Sequence, residues 1–445
     1  MPRPTDLTTS IRQALQRLGG ALSSAELQAQ LGVSQPTVSR AMAPLIQSGE
    51  VHKVGAARTQ RYVLPRTVRD VGRSVPVMRI DAQGQPTPFA RLVPLASGAV
   101  WVDEEDGLSK RFDSLPWFLD DMRPQGFMGR NLASFVAHSH PELQLGNDPR
   151  YWSDDDVLRA LALCGDDLPG NLLVGEPAFA RFHTLPERAS RAASADDYPA
   201  LADAAMQGTL GGSSAGGEQP KFCTLVGAGD VARHVLVKFS PAGDAPTDQR
   251  TRDLLVCEHL ALQTLADAGV SAAKTQIFSA AGRVFLEAER FDRTAVGRIG
   301  MVSLMVYDAE YVGAMDNWAA TANRMADRGL LRPQDARTLR LLEAYGVLIA
   351  NTDRHYGNIS LLLQDDDWVL APAYDMLPML YAPVGGELVQ RNFRERPLQP
   401  TAATLPEWPQ AQALAARFWA AARADARISS GFRDIAAENF SKIGL

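Results

Sequence analysis

Cysteine is scarce in this sequence, and the few cysteines are scattered. Only three occur among 445 residues, and none of them stands in a C-x-x-C pair. This distribution predicts reduced, buried structural thiols and argues against a zinc site. The three cysteines are Cys164, Cys223 and Cys257.

Long apolar runs are also missing. No run approaches the roughly 20 residues that a membrane-spanning helix needs, so no membrane partner is expected. The first residues lack the basic-then-apolar layout of a secretion signal, which predicts a cytoplasmic protein. With 46% hydrophobic and 22% charged residues, the composition is that of an ordinary globular protein. A chain of this length can form roughly two to four domains.

Charge is distributed unevenly along the chain. Residues 1–66 contain eight Lys or Arg and three Asp or Glu, a balance of +5. Because the whole chain carries −6, the remaining residues carry −11. A small basic head on an acidic body suggests a polyanionic partner for the head alone.

The basic head has the pattern of a winged helix-turn-helix. Helices are predicted over 8–18 and 25–31, a third begins after Ser34, and strands 51–54 and 60–64 would form the wing. Outward polar and basic side chains would contact base edges and phosphates, so the pattern predicts binding to DNA. These side chains are Gln35, Thr37, Ser39, Arg40, Lys53, Arg58 and Arg61. The alternative is a three-helix interaction module that never meets DNA.

The most informative stretch contains an acid and an asparagine at a fixed spacing. Asp353 and Asn358 stand in the D-x-x-x-x-N spacing of a kinase catalytic loop. A predicted β-hairpin, 359–370, then returns the chain to a second acid, Asp375. In such an arrangement the first Asp accepts the proton of an attacking hydroxyl, and Asn358 and Asp375 bind magnesium. The sequence therefore predicts transfer of the γ-phosphate of ATP.

Several upstream features stand in the order found in kinases. The Gly-rich segment 211–221 can point backbone N–H groups at phosphates, although alone it would be interpreted as a flexible linker. Lys238 interrupts an apolar strand, where it would bind phosphates; the alternative is an edge strand with the lysine facing water. Glu258, on a predicted helix, would hold this lysine, or it is simply solvated. Residues 284–293 are interpreted as a strand leading into a hinge, where Phe291 would cover the adenine, although taken singly these residues fit a plain charged strand end equally well.

These features divide the chain into an α+β multidomain protein. The head (1–66) is followed by a small α/β subdomain (67–185) and by a surface connection (186–207) with little hydrophobic periodicity. The ATP-binding part of an N-lobe would occupy 208–300, and a mostly helical catalytic C-lobe would occupy 301–445. The predicted fold is a winged helix-turn-helix, an α/β subdomain and a two-lobed, protein-kinase-like domain.

The motifs together resemble the HipA family of bacterial serine/threonine kinases, the toxins of type II toxin–antitoxin systems. The likeness covers roughly residues 75–430 and is strongest at Ser214–Lys221, Glu289–Arg293, Asn351–Asn358 and Tyr374–Asp375. The resemblance implies a kinase-like fold with ATP and Mg²⁺ as cofactors and Asp353 as the catalytic base. The residues that would bind ATP are Lys238, Ser214, Ala215, Gly216, Gly217, Lys221, Glu289 and Phe291.

The resemblance also implies self-regulation. The family pattern Ser-x-x-Gly-x-Gln-x-Lys begins at Ser214, and in the family this serine is autophosphorylated, which ejects the loop and switches the kinase off. Ser213 is the second choice. A phosphate adds about −1.5 to −2 charges beside a site for ATP phosphates, which explains the switch. Family members act on proteins of translation, notably aminoacyl-tRNA synthetases, so a translation protein is the substrate class implied here.

The chain departs from the family in one large respect. The usual toxin has no DNA-binding head, because its antitoxin supplies the helix-turn-helix. It is therefore open whether the protein is toxic and whether it needs a separate antitoxin. It is also open whether the protein forms a homodimer that binds two DNA half-sites. Two alternatives are a DNA-binding transcription regulator whose kinase-like lobe senses nucleotide and, against the motif order, a metal-dependent nuclease. In the nuclease, Asp353, Asn358 and Asp375 would hold magnesium near captured DNA.

Overall fold

The computed structural model describes residues 4–55, 60–183, 193–210, 217–227 and 232–443. Within these ranges the chain forms a mixed α/β protein of several packed units. None of the helices in the described ranges has both the length and the hydropathy needed to cross a membrane. Some residues singled out in the sequence lie outside the described ranges: Arg58, Ser213, Ser214, Ala215 and Gly216.

The head consists of three helices and a three-stranded sheet. In chain order these are α1 (Pro4–Arg17), β1 (Ala21–Leu22), α2 (Ser24–Leu31), α3 (Gln35–Gln47), β2 (His52–Val54) and β3 (Arg61–Val63). Ser23 and Glu26 cap α2 reciprocally, because the side chain of each accepts the main-chain N–H of the other. Gly32 ends α2 with φ of 64°, a conformation that glycine adopts readily, and the chain turns there into α3. The predicted helices and strands of the head are therefore confirmed.

The middle domain (residues 67–183) is built on a five-stranded antiparallel sheet in the order β7-β6-β5-β4-β8. Its strands are β4 (Val75–Ile80), β5 (Pro86–Pro94), β6 (Val100–Glu104), β7 (Ser109–Phe112) and β8 (Leu172–Val174). Its helices are α4 (Gly126–Ser139), α5 (Asp154–Cys164) and α6 (Glu176–Phe182). Alternate strand residues such as Leu92 and Val102 pack with Leu161 of α5 in one core cluster.

The head is attached directly to the middle domain. The guanidinium of Arg66 donates to both carboxylate oxygens of Asp155 and to the main-chain carbonyl of Leu95. A Cβ on Gly20 would lie 2.8 Å from Cβ of Leu95, so glycine permits a close approach of the two units here. Polar and steric contacts therefore hold the head in one place on the middle domain.

The prediction of a surface connection over 186–207 is wrong for its second half. Tyr198–Met206 form a helix, α7, and Tyr198 is fully buried. The Tyr198 ring packs edge-on against Phe222, with 5.7 Å between centroids, and its hydroxyl donates to Glu287. The other two fully buried residues of α7, Ala202 and Ala205, are alanines, which contribute little to a hydrophobic period, and this explains why the sequence concealed the helix.

The sheet lobe (residues 193–300) contains α7 and a four-stranded antiparallel sheet in the order β11-β12-β10-β9. The elements that follow α7 are β9 (Lys221–Val226), β10 (Arg233–Phe239), α8 (Pro246–Ala266), β11 (Thr275–Ala280) and β12 (Arg283–Glu289). Val235, Val237 and Phe285 pack with α7 on one face of the sheet. Because side chains alternate along a strand, Lys238 faces the opposite side, where α8 lies.

The helical lobe (residues 301–443) contains a three-stranded sheet in the order β13-β14-β15 and four longer helices. The strands are β13 (Met301–Ser303), β14 (Ser360–Gln364) and β15 (Asp367–Leu370). The helices are α9 (Trp318–Asp327), α10 (Pro333–Leu348), α11 (Trp408–Ala424) and α12 (Ser430–Ile443). The indole N–H of the fully buried Trp419 donates to the carbonyl of Leu348 at 3.0 Å. This bond fixes the end of α10, from which the candidate catalytic loop begins.

Candidate active site

Two carboxylates hold Lys238 where the sheet lobe meets the helical lobe. The lysine is only 6% exposed. Its Nζ donates to the two carboxylate oxygens of Glu258 at 2.7 and 2.9 Å and also to the carboxylate of Asp375. The predicted pairing of Lys238 with Glu258 is confirmed, and the alternative of an edge-strand lysine facing water is wrong.

A second buried lysine lies beside the first. Lys221 of β9 is the cross-strand neighbour of Lys238 and is 4% exposed. Burial and the adjacent charge of Lys238 lower the pKa of Lys221 to about 8. Two neighbouring buried ammonium groups repel each other, and a bound anion would offset that repulsion.

The Gly-rich segment enters the described part of the chain at Gly217. This residue has φ of 94°, which favours glycine. The amino group of Lys221 lies 2.8 Å from the position that a Cβ on Gly217 would occupy. The backbone therefore passes directly over the second lysine. The preceding residues of the segment are outside the described ranges, so their predicted roles stay predictions.

Asn351 organises the loop between α10 and β14. Its side chain is fully buried, its Oδ1 accepts the main-chain N–H of Asp353 at 2.9 Å, and its Nδ2 donates to the main-chain carbonyl of Asp375 at 3.3 Å. Asn351 thus ties together the two segments that carry the acids. Sequence reasoning assigned it no role, although a polar residue directly after an apolar helix was the available signal.

Asp353 and Asn358 differ in their access to solvent. The Asp353 side chain is 49% exposed, and one of its oxygens lies 3.9 Å from Nε2 of His355. Asn358 is buried, and its Nδ2 donates to the main-chain carbonyl of Asp353 at 2.9 Å, which leaves Oδ1 as an acceptor. An accessible carboxylate can meet a large substrate, whereas a buried amide oxygen suits a bound cation.

The backbone at Asp375 is held in an unusual conformation. Its φ is 53°, which is uncommon for any residue other than glycine. The preceding Tyr374 is anchored, because its hydroxyl donates to the carbonyl of Gly357 at 2.9 Å and hydrogen-bonds the hydroxyl of Ser360 at 2.8 Å. These contacts over-determine the strained turn and aim the Asp375 carboxylate at Lys238.

The two ATP-binding candidates at the end of β12 lie in different surroundings. Glu289 faces cations of the sheet lobe, with oxygens 3.8 Å from a guanidinium nitrogen of Arg233 and from Nζ of Lys274. Phe291 packs on Tyr374 with 5.6 Å between ring centroids. Phe291 therefore lies beside the Asp375 segment.

A buried ion network joins this region to the middle domain, and sequence reasoning missed it. Arg290 donates to Asp292 and to Asp167 at 2.9 Å each, and Arg293 donates to Asp292 at 2.7 Å. Burial opposes ionisation of Asp167, but the fields of Arg290, Arg293 and Arg298 outweigh it and lower its pKa to about 2. The available signal was the alternation of arginine and aspartate directly after β12.

The predicted DNA contacts within the described ranges lie on α3 and on two strands of the head. Those on α3 are Gln35, Thr37, Ser39 and Arg40. Arg40 is exposed, and its Nε donates to the main-chain carbonyl of Pro36 at 3.3 Å. Lys53 of β2 is exposed, whereas Arg61 of β3 forms an ion pair with Glu26. Of the three candidate cations that the structure describes, Arg40 and Lys53 are therefore more accessible than Arg61.

Comparison with known proteins identifies two matching family models. Residues 213–439 match the HipA-like C-terminal domain, and residues 71–183 match the middle domain of the YjjJ-like toxin. Toxin YjjJ of Escherichia coli (strain K12) is 37% identical over 431 residues, which cover 96% of each chain.

Two solved structures are also similar. A chain of the Shewanella oneidensis MR-1 toxin–antitoxin complex of HipA, HipB and operator DNA matches with a TM-score of 0.45 and 13% identity, covering 82% of this chain and 95% of that chain. The Helicobacter pylori proinflammatory kinase CtkA matches with a TM-score of 0.35 and 13% identity, covering 51% of this chain and 88% of that chain.

Proposed function

Because this chain belongs to the HipA-like family of toxins, we propose that it is an ATP-dependent serine/threonine protein kinase. The observation that carries the proposal is the placement of Lys238 between Glu258 and Asp375, where the sheet and helical lobes meet. In protein kinases a strand lysine paired with a helix glutamate binds the ATP phosphates beside a metal-binding aspartate. The same three residue types meet here.

The buried cations account for nucleotide binding. Lys238 and Lys221 would bind phosphate oxygens, with the N–H groups of the Gly-rich segment beside them. The Glu289 side chain lies on the α7 face of the sheet, so this residue would meet the base through its main chain, and Phe291 would cover the base. The Asn358 amide oxygen and the Asp375 carboxylate are donors of the type that Mg²⁺ prefers. The described ranges contain no group of three His, Cys, Asp or Glu that could hold a metal ion, so phosphate and water oxygens would complete the coordination. The cation would neutralise charge that develops on the phosphates.

Asp353 would accept the proton of the substrate hydroxyl as that oxygen attacks the γ-phosphorus and the bond from this phosphorus to the leaving ADP breaks. Its half-exposed carboxylate suits a substrate that is itself a folded protein. We place the substrate among proteins of translation, and we place self-inhibition at Ser214 or, as second choice, Ser213. An antitoxin partner and a homodimer are compatible with this proposed kinase.

The head would bring this kinase to DNA. Its helix–strand–helix–helix–strand–strand order is that of a winged helix, with α3 as the recognition helix. Arg40 and Lys53 would contact phosphates, and Gln35, Thr37 and Ser39 would contact base edges.

Intact-mass measurement tests the kinase proposal. Phosphatase-treated protein is incubated with Mg-ATP, and wild type is compared with Asp353→Ala and with Asp434→Ala, which removes an exposed carboxylate on α12. Wild type and Asp434→Ala are expected to gain one phosphate, mapped to Ser214 or Ser213. Equal gain by Asp353→Ala would refute the assignment of the base.

A nucleotide-sensing transcription regulator is the second candidate, because the head is attached to the middle domain through Arg66. Such a protein would change its affinity for DNA when ATP binds and would transfer no phosphate. DNA-binding titrations with and without ATP, beside the mass measurement, separate the two candidates.

A further inference from the structure

Helix α4 of the middle domain contacts the chain at two points around the Gly-rich segment. Gly208 precedes the segment, and a Cβ there would lie 2.7 Å from Cβ of Ser134 on α4. Gly217 lies within the segment, and its carbonyl accepts the main-chain N–H of Phe127 at 3.0 Å. Ser134 and Phe127 are separated by about 10 Å along the helix axis. One helix therefore holds both points at a fixed separation.

The closest approach joins two glycines. Gly126 is the first residue of α4, with φ of 61°, and a Cβ there would lie 2.9 Å from both the nitrogen and the carbonyl carbon of Gly217. Real Cβ atoms essentially never approach other atoms within 3.0 Å. Gly217 also lies close to the amino group of Lys221. It is thus in close contact with both the backbone of α4 and a buried lysine.

Two side chains of α4 add to this contact. The guanidinium of Arg130 donates to the carboxylate of Glu218 at 3.2 and 2.6 Å. Phe127 packs edge-on against Phe239, with 6.4 Å between ring centroids, and Phe239 directly follows Lys238 in β10. The first turns of α4 therefore contact β10, which carries Lys238. They also contact the residues directly before β9, the strand that carries Lys221.

We infer that α4 positions the nucleotide-binding residues, and that Gly126 and Arg130 of the middle domain are positioning residues for ATP. The inference rests on the proposed kinase function. Displacement of Gly217 would displace the amino group of Lys221, which lies beside Lys238 across the sheet. The middle domain thereby sets the geometry of the cations that receive the phosphates, although it supplies none of them.

A pair of glycine variants tests the inference. Gly126→Ala forces the two backbones apart, whereas Gly329→Ala introduces the same side chain at a similar φ of 68° with nothing within 4 Å. Misplacement by a fraction of an ångström is expected to raise the Kd for Mg-ATP by about 10-fold or more in Gly126→Ala alone, and to raise KM more than it lowers kcat. Equal Kd values in the two variants would overturn the inference and leave the kinase proposal standing. Failure of wild type to bind Mg-ATP would overturn both.

A charge exchange provides the second test, because it acts at the surface and does not threaten folding. The Arg130 and Glu218 side chains are 42% and 75% exposed, so Arg130→Glu is expected to raise the Kd for Mg-ATP by only about threefold. The double variant Arg130→Glu, Glu218→Arg should restore the wild-type value at low salt. Wild-type affinity in the single variant, or no recovery in the double variant, would contradict a positioning role for this pair.

Discussion

Lys238 donates to both carboxylate oxygens of Glu258, and the two side chains are only 7% and 3% exposed. The pair joins β10 to α8 in a region of low dielectric, where a charge without a partner is costly. Glu258 therefore neutralises the lysine and fixes the direction of its amino group. Without Glu258, the amino group would keep its contact with the Asp375 carboxylate but lose the acid on α8 that fixes it, and the phosphate-binding position would be lost.

We predict that Glu258→Gln, which preserves shape and removes charge, lowers kcat/KM for ATP by at least about 10-fold. The loss follows because a neutral amide no longer holds the ammonium group in place. Steady-state kinetics beside Glu438→Gln, an exposed glutamate of α12, measure the effect. Equal kinetics in the two variants would show that the ion pair does not serve nucleotide binding.

The pH dependence of ATP binding should report Lys221. Its pKa of about 8 lies below the usual 10.5, so the free protein loses this charge as the pH rises through 8. Phosphate binds the charged form, so affinity should be constant below pH 8 and fall by up to about 10-fold per pH unit above it. Lys221→Arg, which stays charged, should give a flatter profile in isothermal titrations between pH 7 and about pH 9. Identical profiles would contradict this role for Lys221.

Asn351→Ala should lower both the free energy of unfolding and the rate of phosphate transfer. The variant leaves the main-chain N–H of Asp353 without its partner, which costs about 1–3 kcal/mol of unfolding free energy. It also releases the Asp375 segment, so kcat should fall more than KM rises. Asn392→Ala is the control, because its exposed amide accepts the main-chain N–H of Arg394 and donates to Glu395 far from the site. Urea unfolding and kinetics of both variants decide the matter; a wild-type kcat in Asn351→Ala would contradict the account.

Asp292→Asn should destabilise the joint between the middle domain and β12. The change leaves Arg290 and Arg293 with less compensating charge in a buried site, at a cost of about 3–5 kcal/mol. Asp148→Asn removes one partner of a surface pair with Arg150, and it should lower the unfolding free energy far less. Similar unfolding free energies for the two variants in urea would refute a structural role for the network.

DNA binding by the head should depend on salt. Arg40→Ala and Lys53→Ala should each weaken binding to a mixed-sequence duplex and reduce the slope of log K against log salt by about 1. Arg337→Ala, a 69% exposed arginine of the helical lobe, should change neither quantity. If the wild-type protein does not bind the duplex at low salt, the proposal that the head binds DNA is wrong.

Local signals made part of this site predictable. The spacing of Asp353, Asn358 and Asp375 is a short-range pattern, and a lysine inside an apolar strand demands a partner wherever it occurs. Glu258 was paired with Lys238 by analogy with kinases, and the structure confirms that the two side chains are in contact. The roles of these residues in catalysis stay predictions.

Other features depend on contacts that no local pattern encodes. The helix around Tyr198 was missed because alanines dominate its buried face. The approach of Gly126 to Gly217 joins glycines about 90 residues apart, and glycine has no hydrophobic period by which such a contact could be recognised. No role was predicted for Asn351, because its side chain acts through two main-chain partners that only the folded loop brings together.

Transfer of label from ATP tests the central claim most directly. Wild-type protein, Asp353→Ala and Asp375→Asn are incubated with magnesium and with ATP labelled at either the γ- or the α-phosphate. The account predicts that only the γ-label enters protein, and that it does so only in wild type. Label from the α-phosphate, or equal γ-label in the Asp353→Ala variant, would contradict a kinase whose base is Asp353.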